Sequence, residues 1–133
     1  MSFRDPSINL YSRDVMRLVA FYERLGFRET FRTPKAGPPD HVEITLGRFT
    51  IGVASVTAAI ADHGLKPDLN GRAIEIVLGS DDTDADYAAL TAGGARSLSP
   101  PHDFLGHLRV AWVADPDGNP LQLVQRVARR DEG

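Results

Sequence analysis

Asp14-Val-Met-Arg-Leu-Val-Ala-Phe-Tyr-Glu-Arg-Leu-Gly-Phe27 is the stretch on which the fold turns. Val15, Leu18, Val19, Tyr22 and Leu25 recur at three- and four-residue spacing and therefore share one helical face. Ser12 or Asp14 supplies a side-chain oxygen for the opening turn, and Gly26 closes the helix. Upstream, residues 7–11 (Ser-Ile-Asn-Leu-Tyr) alternate polar and apolar, the period of a half-buried strand. Downstream, strands are expected at 27–33, 41–46 and 49–55, with the prolines and glycine of 34–39 forming a loop between the first two. Gly47-Arg48 is a hairpin connection between the last two. Residues 56–62 read as a short helix, and Gly64 to Arg72, with Pro67, Asn70 and Gly71, as a linker.

The same order then recurs. Ala73–Leu78 is expected as a strand, and Ser80 is placed to cap the helix after it. Asp81, Asp82, Asp84 and Asp86 crowd the start of that helix; a metal or a basic ligand would also suit such a run, but the helix dipole accounts for it better. Gly93-Gly94 ends the helix. A short strand near 95–98, a Pro100-Pro101 loop running through Gly106 and a long hairpin over 108–125 around Asp115-Pro-Asp-Gly-Asn119 finish the chain. Ser7 to Gly26 and Ala73 to Gly93 are nearly equal in length and offset by about 66 residues, half of the 133-residue chain. Pattern alone thus gives two copies of strand–helix–three strands. The expected class is α+β: one domain over 1–133, module one at about 6–56, a linker at about 57–71 and module two at about 72–127.

Composition narrows the function classes. Hydrophobic residues at 42% and charged residues at 25% are a globular balance, which excludes disordered and collagen-like chains. No apolar run approaches the twenty residues of a membrane span, so no membrane partner is expected. The first six residues lack the apolar stretch of a secretory signal. With no cysteine there are no disulfides, thiolate metal sites or cysteine nucleophiles, and a cytoplasmic location is the expectation. The net charge of −3 argues against a nucleic-acid partner. Arg126, Arg129 and Arg130 are diluted by Asp131 and Glu132 and read as a solvated tail.

Three stretches together carry a resemblance. Asp14–Phe27 is similar to the D-x-x-x-x-x-x-F-Y-x-x-L-G-F signature that opens modules of the glyoxalase/bleomycin-resistance/dioxygenase (vicinal oxygen chelate) superfamily. Residues 87–94 (Tyr-Ala-Ala-Leu-Thr-Ala-Gly-Gly) and 114–124 (Ala-Asp-Pro-Asp-Gly-Asn-Pro-Leu-Gln-Leu-Val) resemble the second module, the latter its D-P-D-G-N-x-x-E-L hairpin. The likeness runs from Ser7 to about Gln125. It implies curved sheets forming a cup, with helices outside and a divalent metal held from the first and last strands of each module. Carried onto this chain, those positions are Ser7, Gly52, Ala73 and Gln122. Strand alternation independently turns these four away from the apolar sets Ile8/Leu10, Ile51/Val53, Ile74/Ile76/Leu78 and Leu121/Leu123.

This chain departs from the metal pattern. Gly52 and Ala73 have no donor, Ser7 is a poor neutral ligand, and the amide oxygen of Gln122 alone cannot hold an ion. No metal and no cofactor are expected. His41, Glu43 and Glu75 face the same side by parity and leave a shifted metal site open as an alternative. His63 falls in the linker, His102 and His107 in or beside the Pro-Pro loop, and none is paired with a nucleophile by any motif. The remaining cup lining includes Asn9, Tyr11, Glu75, Val110, Trp112 and Gln122, a mixture suited to a mostly apolar small molecule. Trp112 lies opposite Gln122 across the hairpin; it either offers a stacking surface or simply fills core.

Three readings follow. The first is a metal-free binding protein resembling the bleomycin-resistance branch, sequestering an aromatic ligand on Trp112, Gln122, Glu75, Tyr11, Asn9 and Ser7, with Glu75 favouring a cationic one. The second is a lyase or isomerase of the superfamily with a shifted metal or none. The third is a partner-dependent module without a small ligand. The nine residues from Gly64 to Arg72 reach about 30 Å when extended, enough to close one chain's modules or exchange them with a twin. The resemblance implies a homodimer, and twofold pairs are the commonest closed assembly. Light scattering at micromolar concentration is expected to give the dimer mass, and a clean monomer mass would refute the pairing.

Overall fold

Side-chain alternation decides which face of a sheet a helix can cover, and both halves of this chain use it in the same way. The computed structural model describes residues 1, 2, 5, 7–71 and 74–128; Arg72, Ala73 and the tail residues Arg129, Arg130, Asp131 and Glu132 lie outside the described residues. Two compact units emerge, Met1–Asn70 and Gly71–Gly133. The first contains β1 (Ile8–Ser12), α1 (Val15–Arg24), β2 (Arg28–Thr33), β3 (His41–Leu46), β4 (Phe49–Ser55) and α2 (Val56–His63). The second contains β5 (Ile76–Gly79), α3 (Thr83–Ala92), β6 (Arg96–Phe104), β7 (Leu108–Ala114) and β8 (Pro120–Arg126). Each unit carries one open four-stranded mixed sheet, ordered β1-β4-β3-β2 and β5-β8-β7-β6. The α+β, two-module architecture expected from the sequence is the observed one.

In the first unit, α1 starts where Asp14 accepts the Arg17 N–H at 3.1 Å, while Ser12 accepts the Asp14 N–H at 3.0 Å. Both candidate caps therefore contribute, Asp14 as the cap and Ser12 one step earlier. Val15, Leu18, Val19, Phe21 and Tyr22 are buried. Tyr22 is fully enclosed and meets Phe21 and Phe27 edge-on, with ring centroids 5.2 and 5.5 Å away. Gly26 turns the chain with φ +105°, a backbone conformation that side chains disfavour. Across from α1 the sheet presents Leu10, Val42, Ile44, Ile51 and Val53, all buried. β1 runs parallel to β4 with Asn9 against Gly52, and β3 antiparallel with Glu43 against Gly52. On edge strand β2, a hydrogen bond from Arg32 holds the Glu29 carboxyl below its ordinary range, against a smaller opposing effect of burial.

The second unit repeats this ladder with Val77 against Gln122 and Trp112 against Gln122. Its core face is Ile76, Ala111, Val113, Leu121 and Leu123. Val110, two residues from Trp112 and on the same face by alternation, is fully buried. Three boundaries depart from the sequence reading. β5 begins at Ile76, three residues after the expected start; the register sets Glu75 opposite Pro120, the first residue of β8, which has no N–H to pair. Ile74 is outside the strand and 51% exposed. The cap of α3 is Asp82, which accepts the Ala85 N–H; Ser80 accepts the Asp82 N–H and donates to Asp86, shaping the approach. Most consequentially, the Pro-Pro segment is strand. Prolines lack the N–H that a central strand needs, but β6 is an edge, and its register shifts between Ser97 and Ser99 and between Ser99 and His102 absorb them.

α3 is poor in large apolar residues and is tied down by polar contacts. Buried Thr83 takes the Gln125 side-chain oxygen on its N–H at 3.0 Å and donates its hydroxyl to the Arg109 carbonyl at 2.9 Å. Arg109 forks onto Asp84 at 2.8 and 2.9 Å; that hydrogen bond, with a lesser one to Asp103, raises its pKa further above the ordinary value. The turn between β7 and β8 is built on Asp115. One carboxylate oxygen accepts the N–H groups of Asp117 and Asn119, and the other accepts the Asn119 amide at 2.7 Å. Asp115 and Asn119 are both buried. Asp115→Ala is expected to lower unfolding free energy by about 2–4 kcal/mol, since buried donors lose their acceptor. A urea titration followed by Trp112 emission should show an earlier midpoint at unchanged slope; an unshifted midpoint would mean the turn forms without the carboxylate.

Candidate functional site

With α1 and α3 covering one face of each sheet, chemistry must be sought on the other. In the second unit, β7 presents half-buried Trp112 between Ser99 of β6 and half-buried Gln122 of β8. The indole N–H donates to a Glu75 carboxylate oxygen at 2.7 Å. His102 stacks on the indole, centroids 6.1 Å apart and planes 24° from parallel. The His102 Nδ1 lies 2.8 Å from the Pro100 carbonyl, which can only accept, so Nδ1 carries the proton and Nε2 is left open. Val77, in register with Gln122, is 54% exposed. The result is two aromatic planes and an aliphatic group, with a carboxylate and an amide at hand.

The expected pairing of Trp112 with Gln122 is the observed one; Glu75 lies ahead of β5 and reaches the indole through its side chain. His102 was placed in a loop and missed as a site residue. The signal for it was the pair of prolines, which fit a bulged edge strand as well as a loop.

In the first unit the ladder centres on Gly52. A Cβ there would overlap the Asn9 side-chain oxygen and come within 2.8 Å of His41 Cε1. The space a side chain would need is thus already filled by Asn9 and His41. The His41 ring N–H reaches Glu43 at 3.3 Å, and Phe31 meets the same ring at an angle, centroids 6.3 Å apart. Beside them opens a cavity of about 300 Å³ whose walls include Asn9, Tyr11, His41 and Ala54, with Asp40, Asp62 and His63 among the rest. Asp40 and Asp62 were not picked out from the sequence. His63, expected in the linker, is the last residue of α2 and reaches this cavity. Ser7 is exposed just ahead of β1 and is not part of the cavity wall.

The repeated ladder also corrects one equivalence. Asn9 pairs with Gly52 and Val77 with Gln122, so the residues two steps upstream, Ser7 and Glu75, correspond. Glu75, and not Ala73, is therefore the counterpart of Ser7 among the metal positions that the resemblance implies. The four positions offer a hydroxyl, no side chain, one carboxylate and one amide, and the carboxylate is engaged by Trp112. The space a side chain at Gly52 would take is filled by Asn9 and His41, and the ring of His41 is itself engaged with Glu43. Among the described residues no group of three His, Asp or Glu side chains is placed to hold an ion. This donor set does not fit a catalytic divalent metal.

Fold and ladder together define a tandem βαβββ protein. The glyoxalase/bleomycin resistance protein/dioxygenase superfamily model matches residues 6–123, and the chain belongs to that superfamily. Among solved structures it is similar to the hypothetical protein SA1046 from S. aureus, with TM-score 0.77 and 20% identity over 96% of each chain. TioX from Micromonospora sp. ML1 is similar at TM-score 0.71 and 22% identity, over 93% of this chain and 100% of that one. A glyoxalase/bleomycin resistance protein/dioxygenase from Nocardioides gives TM-score 0.74 and 19% identity, over 100% of this chain and 90% of that one. No curated protein matches. At these identities the structural likeness speaks for the fold alone.

Purified protein is expected to contain far less than one equivalent of zinc, nickel, manganese or iron by elemental analysis. Added metal should leave the melting temperature unmoved, because only ions that bind the native state stabilise it. A stoichiometric ion held through His41, Glu43 or Glu75 would overturn the donor argument.

Proposed function

We propose that this chain is a metal-independent binding protein for a small, mostly apolar aromatic molecule, sequestering it without turnover in the manner of the bleomycin-resistance branch. The observation that carries this reading is the Trp112 indole, fixed by Glu75 and stacked against His102. An indole held by its N–H keeps its orientation before a ligand arrives, so less ordering entropy is lost on binding. Stacking contributes about 0.5–1.5 kcal/mol beyond buried area. The nearby carboxylate favours a ligand bearing positive charge, and Gln122 can orient it through its amide. A homodimer working in the cytoplasm is part of the same proposal.

A second reading is favoured by His41. Hydrogen-bonded to Glu43 at the cavity wall, it is arranged as a general base, which would serve a lyase or isomerase needing no metal.

Trp112 is the only tryptophan, so its emission reports directly on this face. A thermal-shift screen of aromatic antibiotics and metabolites supplies the candidates. A true ligand is expected to quench or shift the emission saturably and to be recovered unchanged; conversion to a product would favour the His41 reading. Trp112→Ala should weaken binding by about tenfold or more while the fold persists, as loss of a stacking partner implies. Glu75→Gln, which keeps an acceptor for the indole, should weaken a cationic ligand selectively. Should Trp112→Ala instead cost about 3–5 kcal/mol of stability, as a core aromatic does, with emission indifferent to every ligand, the assignment fails.

A further inference from the structure

Each sheet ends on an edge strand, β2 in the first unit and β6 in the second, and the two edges are defended differently. β6 carries Pro100 and Pro101 and two register shifts, which deny a further strand a regular ladder to join. β2 has no proline between Arg28 and Thr33 and a single shift, at Thr30. All of its residues but Arg32 are exposed, among them Phe31 at 47%. The outward N–H and C=O groups of such an edge are a template for another strand.

The shift at Thr30 decides which strand can join. Glu29 pairs with Ile44 and Arg32 with Val42, so both lie on the face that α1 covers, where Arg32 also reaches the Met16 sulfur at 3.9 Å. Arg28, Phe31 and Thr33 pair with Thr45, Glu43 and His41 on the open face. The Thr30 hydroxyl, 3.4 Å from that of Thr45, joins them. From either end, β2 therefore runs open, helix-side, open, open, helix-side, open. Residues directly opposite in an antiparallel pair share a face. A second β2 matches these faces when Thr30 lies opposite Phe31. Sliding it by one residue in either direction sets open-face residues against helix-side ones. In the matched register Glu29 meets Arg32 on both sides of the centre, Arg28 meets Thr33, and no like charges stand opposite each other.

We propose that β2 is the contact surface for a second copy of this chain, the two strands pairing antiparallel about a twofold axis between Thr30 and Phe31. The proposal rests on the homodimer reading above and says where its interface lies. Arg32 forks onto Glu29 through Nε and Nη2, at 2.7 Å each, and keeps Nη1 to reach the partner's Glu29. Two such pairs close into a ring of alternating charges. On the open face each exposed Phe31 gains a neighbour in the partner's Thr30 and is drawn out of water.

Sedimentation velocity of the full chain at micromolar concentration tests the pairing, with circular dichroism verifying the fold of each variant. Glu29→Arg and Arg32→Glu each turn both cross-strand pairs into like-charge ones and are expected to weaken self-association about tenfold or more. Mixing these two variants should restore the dimer mass, because unlike charges then face each other across the axis. Each chain in the mixture keeps its own like-charged pair, so recovery can come only from the interface. The double variant Glu29→Arg/Arg32→Glu should self-associate as the wild-type chain does. Phe31→Lys leaves the charge pair alone and should also weaken the dimer, by bringing two like charges to the axis. Single variants that dimerise as tightly as the wild type would overturn this interface and leave the homodimer standing. A mixture that stays monomeric would overturn the register, and a monomeric wild-type chain would overturn both proposals.

Discussion

Two parallel strands cannot be joined by a tight turn, and in each unit the first strand lies parallel to the last, Ile8 against Ile51 and Ile76 against Leu121. Everything between them must therefore travel out and back: one helix across a face, then two further strands returning through antiparallel pairs. That single pairing sets the order β1-β4-β3-β2 and its repeat, and it seats two strand middles side by side at the centre of each sheet. Because the long helix can cover only one face, alternation leaves Asn9, Gly52 and Glu43 on the other in the first unit. In the second it leaves Val77, Gln122 and Trp112.

On this shared ladder the two units have diverged in chemistry. Where a superfamily enzyme would bring metal ligands to strand centres, the first unit has a glycine overlaid by Asn9 and His41. The second has a carboxylate turned to an indole N–H and a neutral amide. Neither change disturbs the backbone pairing, since a ladder reads N–H and C=O groups and is indifferent to the side chain. The same indifference lets a scaffold exchange an ion for aromatic surface.

Much of this was legible in the sequence where one signal acted alone. β3 and β4 have the expected bounds because alternation and a two-residue turn leave no other register, and α1 follows from its apolar stripe and cap. Legibility failed where two rules competed. Pro100 and Pro101 forbid a central strand, and only knowledge that β6 is an edge shows they do not forbid this one; with them went His102. Ser80 and Asp82 are equally good caps in isolation, and the choice rests on where the helix axis begins. Counting back from the helix-ending glycines placed Ala73 opposite Ser7. The observed pairing with β8 moves that equivalence to Glu75, because α3 starts at Thr83 where α1 starts at Val15, an offset of 68 residues (83 − 15) and not about 66. The cavity joins residues from all four strands of the first unit and from α2, and no local pattern links them.

The two long helices are fastened by different forces. α1 is seated by five buried residues, Val15 to Tyr22, whereas α3 buries only Thr83 fully and leans on that residue's two bonds and the Arg109 fork. Apolar seating loses strength as water is cooled, because the hydrophobic driving force fades toward low temperature. A polar tether has no such weakness, but dissolved ions screen its charged half. One duplicated sheet thus carries two helices with different enemies: cold works most on the first, brine on the second.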